Sequence, residues 1–549
     1  MQLSRRALLA AASLAAAPVP AWARGFSRGA FTHGIASGDP TADAVILWAR
    51  FVPADGADAR IGWEIAEDEA FAQSARRGAL SVSARTDFCA KVDVRGLAPG
   101  RPYFYRFLAA DGPSLTGRTR TAPRGPADRL SLAFFSCSNL PWGYFHAYGD
   151  AAAREDIDLC LHLGDYIYEL QRGAYPSAQE AVPGRVIEPA GETVTWAEYC
   201  ARHQSYHLDP DLQELRRLKP LCVVWDDHDF ANDAWMHGAQ NHQPSEGAWS
   251  TRAAAARKAY FDWMPIRHHN SRDAYIQRSL DWGDLARILL LDTRLIGRDR
   301  QLVYERDLLP HMDGADSAAA LAAFRARLDD PARQLLGAPQ ERWLAAQMAQ
   351  SRAHGQAWQI LAQQVVVAPQ RAPQGLSRLL SPDASPRNWF ALAECMAALG
   401  LPWNLDCWDG YPAARARLLA MCETQAANAI ILSGDSHNCW VSTLAAPGKA
   451  ERRAALEFAG GSVSSPGFER TLTNAQPGER EALIQSANPA LAFTDLTNRG
   501  YGALQLTRTR CEAEWRAFSD IRTPTRGPPV NARFAAEASL RAGPGAWAM

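Results

Sequence analysis

Side chains that can bind metal ions follow apolar segments in this chain. Residues 157–169 read I-D-L-C-L-H-L-G-D-Y-I-Y-E, and their alternating apolar residues predict a buried strand that ends at Gly164. Asp165 follows at once and Tyr168 lies three residues further on. A carboxylate on a loop at a strand end is anchored by a rigid element, as functional groups often are. An Asp in such a turn also often caps a helix, so both interpretations stay open for this segment alone.

The same arrangement recurs along the chain. Predicted strands at 130–135, 221–225 and 429–433 are followed by Cys137, by Asp227 with His228, and by Asp435 with His437. Strand ends of an α/β sheet converge on one crevice, so these side chains could meet. Asp suits hard cations such as calcium, and a tyrosinate is a characteristic ligand of iron(III). Each cluster alone could be a capped turn, but their repetition favours a metal site.

The elements that would position these residues fall into two parts. Residues 26–122 contain short β-branched and aromatic runs separated by turns, which predicts a small all-β domain. Residues 97–103 resemble the tyrosine corner of a fibronectin type III sandwich. A linker, P-R-G-P at 123–126, precedes an alternation of strands and helices that predicts an α/β domain over residues 127–549. Within it, residues 318–348 are predicted to be helical and residues 471–490 to be a loop.

The overall composition indicates a globular chain without a charge bias. The 549 residues carry a formal net charge of −1, which gives no support for nucleic-acid binding by bulk electrostatics. The ten cysteines include no C-x-x-C pair, which argues against a zinc ribbon. Cys137 directly follows a predicted buried strand, and we expect it to be a free thiol.

The N-terminus has the pattern of an export signal. Arg5 and Arg6 precede an Ala/Leu run, and Ala21-Trp22-Ala23 is a small-x-small cleavage sequence. Residues 1–23 are therefore predicted to be a twin-arginine signal peptide that the twin-arginine export machinery recognises. No other stretch reaches the roughly 18 apolar residues of a membrane span. We therefore expect a periplasmic or secreted protein without a membrane span.

The motifs, taken in order, resemble those of the PhoD-like alkaline phosphatase family. They are S-C-S-N, G-D-Y-I-Y-E, W-D-D-H-D, L-D-T-R and G-D-S-H-N-C-W, and they follow a fibronectin-like domain. The resemblance covers essentially the whole mature chain and extends to the calcineurin-like metallophosphoesterases. It implies a four-layer α/β/β/α sandwich. It also implies iron(III) and calcium as cofactors and the hydrolysis of phosphate esters outside the cell.

The resemblance assigns roles to six proposed metal ligands: Cys137, Asp165, Tyr168, Asp227, Asp435 and His437. Cys137 and Tyr168 match the thiolate and phenolate ligands of the iron. Asp165 matches the carboxylate that bridges the metals. Asp435 and His437 match the two ligands of the last motif. Asp227 stands where the wider superfamily has the Asn of its Gly-Asn-His motif.

The chain departs from the family pattern at three places. Asn232 matches the first of two family Asn residues, but Asp233 replaces the second. Leu295 stands where an aromatic residue usually follows L-D-T-R. Gln363 and Gln364 fall near the superfamily's third motif, which has a His that this chain lacks.

The expected reaction is attack of a metal-activated hydroxide on a phosphate ester. His228 is the candidate for contacting phosphate or for protonating the leaving alkoxide. Asn232 and Arg294 are further candidates for phosphate contacts, and Arg294 could equally form a structural ion pair. Two alternatives stay open. One is a phospholipase D-like phosphodiesterase, and the other is a non-catalytic exported metal-binding or adhesion protein.

Overall fold

The computed structural model describes residues 25–267, 275–312, 314, 316–381, 388–539 and 543–549. The predicted twin-arginine signal at residues 1–23 lies outside these residues. Within the described ranges, no helix is both long and apolar enough to cross a bilayer.

Eight strands lie in the N-terminal part of the described chain. They are β1 (Gly29–Gly38), β2 (Ala44–Pro53), β3 (Ala59–Ala66), β4 (Ser74–Val82), β5 (Cys89–Arg95), β6 (Pro102–Ala109), β7 (Gly112–Pro113) and β8 (Gly117–Arg120).

Further strands follow over the rest of the described chain. They are β9 (Arg129–Phe135), β10 (Leu159–His162), β11 (Pro220–Val223), β12 (Arg278–Trp282), β13 (Ala286–Leu290), β14 (Trp358–Ala362), β15 (Ala429–Ser433), β16 (Cys439–Ala446), β17 (Lys449–Gly460), β18 (Leu491–Asp495), β19 (Arg499–Thr507), β20 (Arg510–Phe518) and β21 (Val530–Glu537).

The α-helices connect these later strands. They are α1 (His146–Ala153), α2 (Trp196–His207), α3 (Pro210–Leu218), α4 (Trp249–Trp263), α5 (Tyr304–Asp307), α6 (Ser317–Leu328), α7 (Ala338–Ala353), α8 (Trp389–Ala398), α9 (Pro412–Gln425) and α10 (Glu479–Ala487).

Two large sheets form the centre of the molecule. The first has the order β21-β20-β19-β9-β10-β11-β1-β2-β5, and the second has the order β12-β13-β14-β15-β17-β16-β18. The sheets pack face to face, and the rings of Phe134 and Phe458 meet between them with centroids 5.3 Å apart. Helices α1, α2 and α4 cover the outer face of the first sheet, and α7 and α9 cover that of the second. This is the expected α/β/β/α arrangement, and it buries the central parallel strands on both faces.

Parallel pairing brings the strand ends together. Strands β9, β10 and β11 are parallel neighbours in the first sheet, and β13, β14, β15 and β17 are parallel neighbours in the second. The carboxyl ends of these strands therefore lie along the same side of the two sheets. The polar clusters predicted from the sequence all follow strands of this set.

The N-terminal strands belong to two sheets. Strands β3, β4, β6, β7 and β8 form a separate five-stranded sheet, whereas β1, β2 and β5 extend the nine-stranded sheet. The connection is parallel pairing of β1 with β11, where Ser37 lies opposite Pro220. In the predicted tyrosine corner, the Tyr103 hydroxyl accepts a hydrogen bond from the Ala98 amide at 2.8 Å, which confirms that prediction. The domain boundary at residues 123–126 stays a prediction.

Two predicted segments differ from the structure. The helix expected over residues 318–348 is divided into α6 and α7, because Pro331 cannot continue a helix and Gly337 takes φ +77°. The prediction of a loop over residues 471–490 is wrong where α10 forms within that segment. That helix buries only Ile484, so its apolar periodicity was too weak to recognise.

Candidate metal centre

The loops after the parallel strands carry the candidate ligands into one region. Cys137 follows β9, Asp165 follows β10 and Asp227 follows β11, all three from the first sheet. Asp435 and His437 follow β15 from the second sheet. The centre is therefore assembled across the junction of the two sheets.

Several of these residues have a left-handed backbone. The φ angles are +58° at Cys137, +52° at Asp165, +62° at Asp435, +61° at His437 and +53° at Asp233. Residues other than glycine rarely adopt this region, and its cost is of order 1–3 kcal/mol each. Such conformations persist where the surrounding structure imposes them, which occurs mainly at functional sites. The backbone is thus held in an unfavourable shape that turns these side chains toward one another.

A first cluster combines four kinds of ligand. Atoms of Cys137, Asp165 and His437 all lie within 4.8 Å of one another. The Tyr168 hydroxyl lies 3.0 Å from Asp165 Oδ2 and 3.2 Å from His437 Nε2. His437 Nδ1 lies 2.9 Å from the Pro466 carbonyl, so this nitrogen carries the proton and Nε2 is free to bind a metal. Ser465 Oγ also contacts the Tyr168 hydroxyl, at 2.6 Å.

A second cluster consists of carboxylates alone. Oxygens of Asp165, Asp226 and Asp227 lie within 4.8 Å of one another, so Asp165 belongs to both clusters. Asp226 Oδ2 is buried and has no hydrogen-bond partner within the described part of the chain. A buried carboxylate oxygen without a partner is costly, and a bound cation would satisfy it.

Arg294 lies among four carboxylates. Its guanidinium hydrogen-bonds to Asp226, to Asp406 Oδ2 at 2.7 Å and to Asp435 Oδ1 at 3.0 Å. Asp227 Oδ1 lies 3.4 Å from the same group. Arg294 is fully buried, so these contacts neutralise part of a concentrated negative charge and fix the positions of the carboxylates.

Glu169 holds His228 in place. Its Oε2 atom lies 2.7 Å from His228 Nδ1, and its Oε1 atom accepts hydrogen bonds of 2.8 Å from Asn232 N and Asn241 Nδ2. Glu169 itself is fully buried. The His228 ring lies over Tyr168, with centroids 4.4 Å apart, so the imidazole adjoins the first cluster. Because Glu169 contacts Nδ1, Nε2 is the ring nitrogen of His228 that this pairing does not use.

Asn232 and the two glutamines make contacts within the protein. Asn232 Nδ2 donates to Gln240 Oε1 at 3.1 Å. Gln363 Nε2 donates to Val365 O at 2.6 Å, and Gln364 Nε2 donates to Trp225 O at 2.8 Å. The glutamines therefore tie together the loops at the strand ends.

Burial and crowding alter the pKa values of the centre. Burial raises the pKa of Asp165 above its usual range, although His228 opposes the shift, and burial raises the pKa of Asp435 to about 7. At Asp227 burial is outweighed by Arg294 and His228, and the pKa falls to about 2. Burial also works against a charged His228, but Glu169 and Asp165 outweigh it and raise the pKa of His228.

Burial favours the neutral forms of three side chains in the first cluster. Burial raises the pKa of the Cys137 thiol and of the Tyr168 phenol, and it lowers the pKa of His437 to about 3. A metal ion would reverse the first two effects, because it favours the thiolate and the phenolate. Thiolate, phenolate, imidazole and carboxylate fit a trivalent iron, and a cluster of carboxylates fits calcium. The residues present therefore fit the cofactors that the sequence resemblance implies.

Some residues of the centre were not recognised in the sequence: Glu169, Asp226, Asp406 and Ser465. Glu169 and Asp226 lie inside motifs that were recognised, so their positions beside Tyr168 and Asp227 were available as a signal. Asp406 lies in a loop that follows no predicted strand, and its approach to Arg294 depends on tertiary structure. Ser465 follows β17, and no strand was predicted from the sequence at that position.

Two family models and one curated protein match most of this chain. The model of the PhoD-like phosphatase matches residues 132–515, and that of the PhoD-like phosphatase N-terminal domain matches residues 15–123. Alkaline phosphatase D of Bacillus subtilis (strain 168) is 31% identical over 524 residues, covering 93% of this chain and 81% of that protein.

Solved structures show the same fold. A structure of PhoD is 28% identical with a TM-score of 0.74, and the match covers 96% of this chain and 92% of the PhoD chain. The purple acid phosphatase PPD1 from yellow lupin (Lupinus luteus) seeds is 12% identical with a TM-score of 0.51. That match covers 90% of this chain and 73% of the lupin chain, and it shows a shared fold alone.

Proposed function

The chain belongs to the PhoD-like phosphatase family, which makes it a metal-dependent phosphoesterase, and from this we propose that it is an exported alkaline phosphatase that hydrolyses phosphate monoesters. The observation that carries the proposal is the pair of ligand clusters that share Asp165. One cluster offers a thiol, a phenol and an imidazole, and the other offers only carboxylates. Two such different clusters joined by one carboxylate suit a mixed-metal centre.

The proposed cofactors are iron(III) and calcium. Cys137, Tyr168 and His437 would hold the iron, Asp226, Asp227 and Asp435 would hold calcium, and Asp165 would contribute to both sites. When bound, the metal ions supply Lewis acidity that lowers the pKa of a water molecule and positive charge that offsets the phosphate oxygens. Arg294 keeps Asp227 and Asp435 in position through its hydrogen bond and ion pair.

Hydrolysis requires a proton for the leaving alcohol. A water molecule that has lost one proton to the solvent bonds to phosphorus through its oxygen, the bond from phosphorus to the ester oxygen breaks, and the alkoxide takes up a proton from the protein. His228 is proposed to give that proton from Nε2, since Glu169 holds its Nδ1 at 2.7 Å and favours the charged imidazole. Asn232 is proposed to contact the phosphate, because its backbone amide is fixed to Glu169 beside His228.

Export is proposed from the twin-arginine pattern at residues 1–23. The protein would then work in the periplasm or outside the cell, on phosphate esters that reach it there. This part of the proposal rests on the sequence alone.

The function can be tested with protein exported by its own signal. We expect both iron and calcium by elemental analysis. We also expect kcat/KM for p-nitrophenyl phosphate to exceed that for bis(p-nitrophenyl) phosphate. A brief calcium chelation should remove activity that added calcium restores, since oxygen-bound calcium exchanges readily whereas iron held by thiolate and phenolate should leave slowly.

Two substitutions test whether activity and metal content depend on the metal centre. Asp165→Asn should abolish turnover and lower the content of at least one metal. The control is Asp43→Asn, because Asp43 is an exposed carboxylate of the N-terminal region, and it should retain both properties. Preferential cleavage of the diester would favour the phosphodiesterase alternative. Metal binding without hydrolysis of either ester would favour a non-catalytic protein.

A further inference from the structure

A mainly apolar cavity of about 270 Å³ lies beside the metal centre. Its apolar walls come from the segment before α5, from α8 and from the loop that follows α8. The side chains that matter here are those of Val303, Trp389, Leu392, Trp403 and Leu405. The family motifs include none of these residues.

Two residues of the cavity wall contact residues of the metal centre. Asp233 and Asp406 belong to its wall. The Asp233 amide donates to Asp227 Oδ2 at 2.6 Å. Asp406 Oδ2 accepts from Arg294 at 2.7 Å, and the same guanidinium contacts Asp435. The cavity therefore adjoins the residues that hold the proposed ligands in place.

The shape of the cavity suits one ring. Trp389 and Trp403 have ring centroids 5.7 Å apart with planes inclined at 48°, and Trp389 is half-exposed at the rim. Aromatic side chains in this arrangement favour stacking or edge contact with another ring. Small-molecule pockets begin at roughly 300 Å³, so this volume accepts a ring system but not the acyl chains of a phospholipid.

The polar groups of the wall limit the ring further. No Arg, Lys or His is among the described residues that line the cavity, so a second anionic group on the ligand would have no ion-pair partner there. Gln301 Nε2 donates to the Asp233 carbonyl at 2.8 Å. Its Oε1 atom is buried and has no partner within the described ranges, so it can accept a hydrogen bond from a donor on the ligand.

We propose that this cavity binds the alcohol portion of the substrate, and that the preferred substrates are phosphate esters whose alcohol carries an uncharged aromatic ring. The inference rests on the proposed phosphoesterase function and deepens it by naming the substrate class.

The test compares two monoesters whose leaving alcohols have similar basicity, 2-phenylethyl phosphate and n-propyl phosphate. The metal-loaded enzyme should prefer the phenyl ester by about tenfold or more in kcat/KM, because a buried ring contributes binding that a short chain lacks. Trp389→Ala should reduce that preference to about twofold or less. Val303→Phe, which fills the cavity, should reduce the preference for the phenyl ester in the same way. It provides the test if Trp389→Ala does not fold.

The control is Leu208→Ala, since Leu208 is an exposed apolar residue at the end of α2, and it should retain the full preference. Equal kcat/KM values for the two esters in the unaltered enzyme would overturn the inference while leaving the phosphoesterase function in place. An equal loss of both activities in both variants, with the preference retained, would also overturn it. Hydrolysis of neither ester by the metal-loaded protein would instead refute the proposed function.

Discussion

Tyr168 is the proposed phenolate ligand of the first cluster. Its hydroxyl contacts Asp165 and His437 at 3.0 and 3.2 Å, whereas the Tyr166 hydroxyl lies 3.2 Å from His207 Nε2. Tyrosinate bound to iron(III) gives a visible charge-transfer band, so the holoprotein should be coloured. Tyr168→Phe should remove this band and weaken iron binding by more than the 10- to 100-fold typical of residues that only support a ligand. Absorption spectra and iron content measure both effects.

Tyr166→Phe is the matched control, because it removes a hydroxyl from the same loop without touching the first cluster. It should keep the iron and the band. A coloured Tyr168→Phe protein with full iron content would exclude Tyr168 as a ligand.

Glu169 is a positioning residue for His228. Replacing it with Gln keeps the size of the side chain but removes the carboxylate that favours a charged imidazole. Glu169→Gln should lower kcat/KM about 10- to 100-fold for alkyl phosphates, whose leaving groups need a proton. The loss should be smaller for p-nitrophenyl phosphate, whose leaving group needs less protonation. Steady-state kinetics on the two substrates, with metal content measured, provide the test.

Glu188→Gln is the control for this substitution, because Glu188 pairs with Arg172 near the surface. Equal losses of kcat/KM on both substrates in Glu169→Gln would mean that Glu169 supports the structure rather than proton transfer.

Residues of the centre differ in how far the sequence could predict them. The polar groups after β9, β10, β11 and β15 were predictable because each follows a short apolar strand, and parallel strand ends converge. Asp406 was not, since its loop carries no periodic pattern. Arg294 was recognised, but its contacts with carboxylates from four different segments depend on how both sheets pack.

At the scale of elements, β1, β10 and α2 bury a group of histidines. The pKa values of His33, His162 and His203 fall to about 3, mainly because of burial, and nearby arginines contribute to the shift at His33 and His203. These side chains are neutral in the folded protein at pH 5 but mostly protonated in the unfolded chain. Unfolding therefore takes up protons, and the free energy of unfolding falls as the pH drops below about 6.5 toward 3. The loss is at most about 4 kcal/mol per pH unit for three such side chains.

Thermal midpoints at pH 7.5 and 5.0 test this dependence. His203 stacks on Trp263, with centroids 5.9 Å apart and ring planes inclined at 10°, so His203→Phe preserves the packing. The variant should lose less stability than the unaltered protein between the two pH values. His354→Gln changes an exposed histidine and should leave the difference between the midpoints as it is. An unchanged pH dependence in His203→Phe would rule out this contribution.

The elements also show which parts of the fold the sequence could predict. Ala429–Ser433 is apolar up to its last residue, and it coincides with the strand predicted there. Pairing of β1 with β11 was not predictable, because the partners are about 180 residues apart and neither segment carries a signal for the other. Long-range register of this kind is set by the docking of sheets, not by local propensity.

At the scale of the whole molecule, three of the N-terminal strands, β1, β2 and β5, belong to the nine-stranded sheet that carries part of the metal centre. Trp48 on β2 is fully buried, its indole donates to the Asp262 carbonyl at 2.8 Å, and Arg216 lies 4.3 Å from its ring. Trp48→Ala should lower the free energy of unfolding by about 3–5 kcal/mol. Chemical unfolding should follow a single transition in which structure and enzyme activity are lost together.

Trp63→Ala is the comparison, because Trp63 is half-buried on β3 in the separate five-stranded sheet. It should cost less stability than Trp48→Ala. Two separate unfolding transitions in the unaltered protein would contradict the shared sheet as a cooperative unit.

The distribution of the ligands along the chain has a consequence for biosynthesis. Cys137 and His437 are 300 positions apart, so a ribosome adding about 5–20 residues per second needs roughly 15 to 60 s to pass from one to the other. During that interval the nascent polypeptide already contains the thiol, but the imidazole that shares its cluster has not been made. The first cluster can close only after β15 has joined its sheet. Acquisition of the metal is therefore a late event, and a chain released before position 437 would lack that ligand.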